Sequence, residues 1–336
     1  MKLIIQKHIL PALVNLNVES IFPLMANGKM LNIFYHGVVN SDSIHILPRH
    51  MIKEQFEQHM KYLSKKFNVI SIDEAFSLYH QNIKPDKKTV TVSFDDGYVN
   101  NLESALPIIE KYKIKTTFFI SGICSEDDTH IMWPDVIAFA NYFSNTNYLL
   151  IGEQKFFRKG RYNLINPENN ISIYDYIKEL SYAERIVVLK EITDRYELKT
   201  NIKDLPREWW KLMNREEIKQ LSSSSLVSIG SHGHLHYNLA NISYKEAKAE
   251  MEMSKNILSE ITGKKINLMS FPDGSYNDEV KEIALSLGYD GLLAVDYRCP
   301  SDLQDKNILN RWGVSSTTTF ETIAFSLNKA FIKNAF

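Results

Sequence analysis

The chain has 336 residues, of which 44% are hydrophobic and 24% are charged, a composition typical of ordinary soluble globular proteins. The formal net charge of −1 creates no overall electrostatic field that would attract nucleic acid, so no nucleic-acid partner is expected. Two cysteines, Cys124 and Cys299, cannot build a disulfide framework and fit a reducing compartment.

The first 28 residues have an apolar bias that polar residues such as Gln6, Lys7 and His8 interrupt. No uninterrupted apolar region with a small-residue cleavage site is present, and no later segment reaches the ~18 consecutive apolar residues of a membrane span. We predict an N-terminal helical segment over residues 1–28, followed by one domain over 29–336. We expect a cytoplasmic location, with peripheral contact at the inner face of the membrane as the alternative.

Short apolar runs then alternate with helical patterns. Strands are predicted at LNIFY, NVISI, KTVTVSF, IKTTFFIS, SLVSIGS, INLMSF, GLLAV and ILNRWGV. Capping boxes that begin at Ser71 and Ser243 open two of the intervening helices. Strands that alternate with helices imply parallel βαβ units, and about seven such units suit a (β/α) barrel better than an open sheet.

Residues from about 125 to 215 break this rhythm. They contain a predicted hairpin, GEQKFFRKGRYNL, and helical stretches such as SYAERIVVLKEITDRYE, so we interpret them as an insertion in a βα loop. The hairpin mixes cations with aromatic residues, which suits a substrate-facing surface, although an exposed, solvated hairpin is the commoner case. Its basic residues are Lys155, Arg158, Lys159 and Arg161. The tryptophans of the insertion, Trp133, Trp209 and Trp210, either line a groove or pack the insertion.

Two polar motifs follow predicted strands. TVSFDDGY places Asp95 and Asp96 side by side, and SHGHLH places His232 and His236 four residues apart. Ligands of parallel α/β folds bind beyond the carboxyl ends of the strands, where both motifs are expected to lie. Two histidines and one carboxylate form a metal site with open positions, and the second carboxylate is then free to take a proton from water.

Each motif alone has a simpler interpretation. Asp-Asp-Gly is usually a turn with helix-capping carboxylates, and a lone His-x-x-x-His is more often a surface or structural feature than a metal site. Together, at the ends of two predicted strands, they favour a divalent metal site whose cation compensates the paired negative charges of Asp95 and Asp96.

These motifs give the chain a resemblance to the polysaccharide deacetylase family, the NodB-homology carbohydrate esterases, and within it to the exopolysaccharide-deacetylase branch. SFDDGY resembles the first family motif, SHGHLH the second and SFPDGSYN the third, over roughly residues 31–330. The resemblance implies an α/β fold, a distorted (β/α) barrel of about seven strands with a helical and hairpin insertion.

The resemblance also implies residue roles. Asp95 would be the general base, and a divalent metal, first of all Zn²⁺ with Co²⁺, Ni²⁺ or Fe²⁺ as alternatives, would be held by Asp96, His232 and His236. The third motif would contribute Pro272, Asp273 and Tyr276 to the substrate and oxyanion wall of the groove. LNIFYHGVV resembles the Tyr-His segment of the same branch, so His36 would protonate the leaving amine; a structural histidine is the alternative. From its position at a predicted strand, Arg311 would orient Asp95 in place of the arginine that many family members carry before the motif proline, with an ordinary ion pair as the alternative.

The chain also departs from the family pattern. Gly233 stands where the second motif has serine or threonine, so a hydroxyl that braces the loop is missing. His234 is an additional histidine, which we expect to face solvent, with a role as an alternative ligand as the second interpretation. Met269, Ser270 and Phe271 stand directly before Pro272, where many family members carry an arginine, and no histidine follows His236.

The resemblance implies a metal-dependent hydrolase that removes N-acetyl groups from amino sugars of a polysaccharide or glycan precursor. Its substrate would be an N-acetylated glycan or a lipid-linked or nucleotide-linked sugar. One alternative is a deformylase or other non-peptide C–N hydrolase that acts on a lipid-linked sugar. The other is a catalytically silent carbohydrate-binding protein.

Overall fold

The structure is a computed structural model, and it describes residues 28–40, 46–125, 129–160, 163–316 and 319–333. Apart from Gly28, the predicted N-terminal helical segment lies outside the described residues, so it stays a prediction, as do the membrane contact and the cytoplasmic location. Among the helices that are described, none has both the length and the apolar character needed to cross a bilayer.

The chain folds into alternating strands and helices. The strands are β1 (Met30–Tyr35), β2 (Gly37–Val39), β3 (His50–Ile52), β4 (Asn68–Val69), β5 (Thr89–Phe94), β6 (Thr116–Ile120), β7 (Tyr148–Ile151), β8 (Gln154–Arg158), β9 (Leu164–Ile165), β10 (Val227–Ser231), β11 (Leu268–Ser270), β12 (Gly291–Ala294) and β13 (Ile308–Gly313). The α-helices are α1 (Lys53–Lys66), α2 (Ile72–His80), α3 (Leu106–Tyr112), α4 (Trp133–Phe143), α5 (Ile173–Glu179), α6 (Tyr182–Arg195), α7 (Leu198–Asn201), α8 (Arg207–Trp210), α9 (Arg215–Ser222), α10 (Tyr244–Thr262), α11 (Asp278–Ser286) and α12 (Phe320–Lys333). The capping boxes predicted at Ser71 and Ser243 are both formed, at the starts of α2 and α10.

Seven parallel strands close into a barrel in the order β1-β5-β6-β10-β11-β12-β13. Closure comes from β1, which pairs with β5 on one side and with β13 on the other. The short strand β4 adds to the start of β5, and β2 pairs with β3 in a separate sheet. The prediction of a distorted (β/α) barrel of about seven strands is therefore confirmed.

The alternation of side chains along β5 explains how this strand serves the site. Its apolar residues, Val90, Val92 and Phe94, belong to the main core that the barrel shares with the surrounding helices. Its polar residues lie on the opposite face, because successive side chains of a strand point to opposite sides. On that face the Thr91 hydroxyl donates a hydrogen bond of 2.7 Å to Asn32 Oδ1 of β1. The same alternation places the next odd-numbered residue, Asp95, at the mouth of the barrel.

The segment that we interpret as an insertion has its own buried core. Helices α4 to α8 and the strands β7, β8 and β9 pack around a cluster that includes Phe139, Phe156, Ile177 and Ile192. Strands β7 and β8 form the predicted antiparallel hairpin, to which β9 adds a third strand. Of the hairpin residues named above, Arg161 lies outside the described residues. The division of the chain into domains stays a prediction.

Candidate active site

A cavity of about 390 Å³ lies at the carboxyl end of the barrel, within the ~300–1,000 Å³ range of ligand pockets. Barrel residues on one side of it include His36, Asp95 and His232. The insertion contributes the other side, with Trp133, Tyr174 and Lys178 among the lining residues. The barrel and the insertion therefore share the cavity. Of the described residues of the predicted hairpin, Asn163 lines the cavity, whereas the basic residues Lys155, Arg158 and Lys159 do not.

The two adjacent carboxylates at the end of β5 are turned toward different partners. Asp96 has φ of 77° and Gly97 has φ of 96°, both in the left-handed region that a non-glycine residue rarely adopts. Asp95, by contrast, continues the register of the strand, and its N–H donates to the carbonyl oxygen of Tyr35. This turn directs the two buried side chains into separate environments and gives each its own chemistry.

Asp95 forms a buried, two-pronged ion pair with Arg311. The two guanidinium nitrogens Nη1 and Nη2 lie 2.8 Å from Oδ1 and Oδ2 of the carboxylate. Arg311 lies within β13 and also donates to the hydroxyls of Ser93 and Ser270. Burial alone would raise the pKa of Asp95, but the Arg311 guanidinium holds that pKa below its ordinary value. Asp95 is therefore ionised and fixed in direction, as a proton acceptor needs to be.

Asp96, His232 and His236 form a second group, whose potential ligand atoms lie within 4.8 Å of one another. Asp96 Oδ1 lies 3.6 Å from His232 Nε2 and 3.4 Å from His236 Nε2. This oxygen is buried and has no hydrogen-bond partner in the described part of the chain. A buried carboxylate oxygen that faces two imidazole nitrogens fits a metal ion, because histidine and carboxylate are common ligands of zinc.

The protonation of the two histidines differs with their surroundings. Burial lowers the pKa of His232 to about 4, and His232 Nδ1 lies 2.8 Å from the carbonyl oxygen of Ser270. That contact leaves Nε2 directed toward Asp96, which is the usual arrangement of a metal-binding histidine. Burial would also lower the pKa of His236, but its contact with Asp96 raises that pKa above the ordinary value. Metal binding at this group would therefore be coupled to the release of a proton.

Three further residues at the site were not anticipated from the sequence. Arg49 Nη1 lies 3.4 Å from Asp96 Oδ2, while its Nη2 lies 2.7 Å from the Tyr98 hydroxyl and 2.5 Å from Asp135 Oδ1. The Tyr98 hydroxyl donates to the other oxygen of Asp135 at 2.6 Å. Arg49 therefore occupies the outer oxygen of Asp96 and leaves the inner oxygen to the histidines. Arg49 and Asp135 are too far from Asp96 in sequence to form a motif with it, whereas Tyr98 is the last residue of SFDDGY.

His36 follows β1 and lines the cavity, with its side chain partly exposed. Its carbonyl oxygen accepts a hydrogen bond of 2.8 Å from the Asn101 side chain. Desolvation lowers the pKa of His36 below 6.5, although the charge of Asp96 acts in the opposite direction. The ring therefore faces the cavity, with a pKa below that of an exposed histidine.

The residues of the third motif have separate positions. Pro272 begins a single 3₁₀ turn, and Asp273 in this turn has φ of 53° and lines the cavity. Tyr276 is not among the lining residues; its hydroxyl donates to Asp302 at 2.6 Å, behind the turn. The structure therefore brings Asp273 to the cavity and gives Tyr276 contacts that support the loop.

The expectation that His234 faces solvent is wrong. Its side chain is buried, and a Cβ on Gly122 would lie only 2.8 Å from His234 Nδ1. Its backbone N–H donates to Glu250 Oε2. His234 is also absent from the group of potential metal ligands, so its ring belongs to the packing of the loop.

The polysaccharide deacetylase family model matches residues 82–138 and 165–292, and these two ranges contain Asp95, Asp96, His232 and His236. The chain is 33% identical over 96 residues to YxkH of Bacillus subtilis, a protein whose name assigns it to the polysaccharide deacetylases. It is 34% identical over 79 residues to the poly-beta-1,6-N-acetyl-D-glucosamine N-deacetylase of Staphylococcus aureus. These matches cover 28% and 23% of this chain, and 33% and 27% of the respective relatives.

Two solved structures share the fold over most of their length. IcaB from Ammonifex degensii superposes with a TM-score of 0.56 and 16% identity, over 90% of this chain and 97% of that one. The Streptococcus pyogenes deacetylase PplD, in complex with acetate, gives a TM-score of 0.54 and 17% identity, over 87% of this chain and 95% of that one. The family model, which matches more than half of the chain, and the barrel that carries its motifs lead to one conclusion: this chain belongs to the polysaccharide deacetylase family.

Proposed function

We propose that this protein is a metal-dependent hydrolase that removes N-acetyl groups from amino sugars of a polysaccharide or glycan precursor. The observation that carries the proposal is the placement of an ionised, arginine-held carboxylate beside a compact Asp-His-His group in one cavity. General-base hydrolysis needs both elements within reach of the same acyl carbon. The name of the S. aureus relative supports the proposal that the acyl group is acetyl and that the substrate is a glycan.

The ion that we propose for Asp96, His232 and His236 is divalent, with zinc the first choice for this set of ligands and Co²⁺, Ni²⁺ or Fe²⁺ as alternatives. When bound, such an ion lowers the pKa of water toward ~7 and polarises an acyl carbonyl. Asp95 Oδ2 lies 4.0 Å from His232 Nε2, so the base is adjacent to this group. Asp95 is held by Arg311 and takes the proton of the attacking water.

His36 is the proposed donor of the proton that the leaving amine requires. Because desolvation lowers its pKa, the ring is neutral near pH 7 and has to gain a proton during the reaction before it protonates the amine. Asp95, which takes a proton from water, faces the same cavity. The backbone N–H of Asp273, in the turn at the cavity wall, is the proposed partner of the oxyanion, as other oxyanion sites use backbone donors.

The substrate class is supported by the cavity and by the relatives. The aromatic side chains of Trp133, Tyr174 and Phe271 line the cavity and provide faces on which a sugar ring packs. The S. aureus relative is named for a poly-beta-1,6-linked N-acetylglucosamine polymer, and we propose an N-acetylated glycan of this kind as the first substrate to test. Lipid-linked and nucleotide-linked sugars are the alternative acceptors.

The direct test of the activity is the release of acetate from β-1,6-linked N-acetylglucosamine oligomers by the protein loaded with Zn²⁺ or Co²⁺. We expect one acetate for each free amine that forms. N-formyl sugars assayed in parallel distinguish a deformylase, which would release formate faster than acetate. Binding of the oligomer without release of either acid, in metal-loaded protein, would support the silent carbohydrate-binding alternative.

Metal analysis tests the Asp-His-His group. The purified protein should bind about one equivalent of divalent metal, and His232→Ala or His236→Ala should abolish that binding, because a three-ligand site does not survive the loss of one ligand. The matched control is His80→Ala, which removes a histidine on α2 that does not line the cavity. Undiminished metal content in both ligand variants would exclude this site.

Substitution of Asp95 tests whether this residue is the general base or a metal ligand. Asp95→Asn should retain the metal and reduce kcat by about 10²-fold or more, the usual effect of losing a general base. Asp96→Asn is the comparison, since it should lose the metal itself. The roles would be exchanged if Asp95→Asn lost the metal while Asp96→Asn kept it.

His36→Ala tests the proton donor. An amide needs its leaving amine protonated, whereas an activated ester does not, so the variant should lose activity on the N-acetyl sugar and retain it on the ester. Because the His36 ring is neutral near pH 7 and gains its proton during the reaction, the loss of activity on the amide should be measurable at neutral pH and with unchanged metal content. Equal losses on amide and ester, at unchanged metal content, would make His36 structural.

A further inference from the structure

The loop from His232 to His236 has to hold two imidazoles against one carboxylate oxygen, yet only one ring is fixed by its own hydrogen bond. His232 Nδ1 is engaged with the carbonyl oxygen of Ser270. His236 Nδ1 is buried and has no hydrogen-bond partner in the described part of the chain. His236 also has φ of 58°, which is unfavourable for a residue with a Cβ. The position of His236 must therefore be set through its main chain.

The loop itself does not provide a side-chain brace at Gly233. This residue has φ of 71°, and a Cβ there would lie 3.3 Å from Pro272 Cγ and 3.4 Å from Glu250 Oε2. Serine or threonine would be strained in this backbone conformation and close to both neighbours. Support for the loop must come from other parts of the fold.

Glu250 supports the middle of the loop from helix α10. Its carboxylate is buried, and Oε2 accepts hydrogen bonds from the backbone N–H groups of His234 at 2.9 Å and Leu235 at 2.8 Å. Both distances are those of well-formed hydrogen bonds. Glu250 thus fixes the peptide groups that join Gly233, His234 and Leu235.

Arg185 supports the end of the loop from helix α6 of the insertion. Its Nη2 donates a buried hydrogen bond of 3.0 Å to the carbonyl oxygen of His236. The guanidinium lies 4.8 Å from the ring centroids of both Trp133 and Tyr237. Burial of a charged guanidinium is costly, and the aromatic faces and the carbonyl oxygen offset that cost. The buried charge is thereby directed at the main chain of a potential metal ligand.

We propose that Arg185 and Glu250 are positioning residues that clamp the main chain of the His232–His236 loop, so that both imidazoles face Asp96. Through Arg185 the geometry of the site depends on the insertion, a contribution beyond the cavity wall that the insertion forms. The clamp is a property of the loop and exists without an ion; only its effect on metal affinity rests on the proposed function.

Hydrogen–deuterium exchange of the metal-free protein tests the clamp directly. Arg185→Met keeps an apolar chain between the two rings but removes the donor, so the peptide that covers residues 232–237 should exchange faster while peptides from β5 and β13 do not. Metal titration should show an affinity about 10–100-fold weaker, the usual effect of losing a group that orients a ligand. The absorption spectrum of the Co²⁺-loaded variant should change as well, because the coordination of His236 is altered.

The matched control is Arg195→Met, on the same helix, where an exposed arginine pairs with Glu191. It should leave loop exchange and metal affinity unchanged. The proposal would be overturned if Arg185→Met showed the same exchange, metal affinity and spectrum as the unmodified protein. It would also be overturned if exchange became faster evenly over the whole barrel.

Glu250 gives a second, independent pair of variants, which decides the question if Arg185→Met does not fold. Glu250→Gln keeps an oxygen acceptor and should resemble the unmodified protein, whereas Glu250→Met should speed exchange at residues 232–237 and weaken metal binding. If Glu250→Gln and Glu250→Met had the same exchange rates at residues 232–237 and the same metal affinity, the clamp proposal would be overturned. If the unmodified protein binds no divalent ion, the proposed function fails, but the exchange measurements still decide the clamp.

Discussion

The site depends on compensation of the negative charges of two adjacent buried carboxylates, Asp95 and Asp96. Asp95 is neutralised by the two-pronged contact with Arg311, and Asp96 is approached by Arg49 at its outer oxygen. Charges interact strongly in a poorly solvated interior, and the loss of one partner of a buried pair typically costs about 3–5 kcal/mol. The inner oxygen of Asp96 is left facing His232 and His236. This uncompensated position is where a divalent cation fits best, so the electrostatics of the apoprotein already define where an ion would bind and which carboxylate stays free.

The insertion takes part in this arrangement at several points. Asp135 holds Arg49 in place, and Lys178 Nζ lies 3.8 Å from Asp273 Oδ1 across the cavity. Arg185 reaches the carbonyl oxygen of His236. The barrel therefore supplies the reactive groups, while the insertion supplies part of the cavity wall and part of the support for those groups. A change in the insertion can affect chemistry at the barrel without touching a motif residue.

Much of this arrangement could be predicted from the sequence. The β-branched run before Asp95, the alternation of strands and helices and the two polar motifs are local patterns, and they predicted the barrel and the location of the cluster. Arg311 was singled out from its position at a predicted strand, as a replacement for the arginine that many family members carry before the motif proline. The contacts of Arg49, Asp135, Arg185 and Glu250 could not be predicted, because they join residues far apart in sequence and depend on how the insertion packs. The burial of His234 was missed for a similar reason: its neighbours, Gly122 and Glu250, belong to other βα units.

The proposed chemistry requires that Asp96, His232 and His236 share one divalent ion while Asp95 stays off it, beside Arg311. Anomalous diffraction from crystals of the zinc-loaded protein measures this most directly. We expect a single strong peak about 2.0–2.2 Å from a carboxylate oxygen of Asp96 and from Nε2 of both histidines, with the Asp95–Arg311 contact intact. A peak that has Asp95 among its ligands, or an ion bound elsewhere with the three residues unengaged, would rule out this assignment of ligands and base.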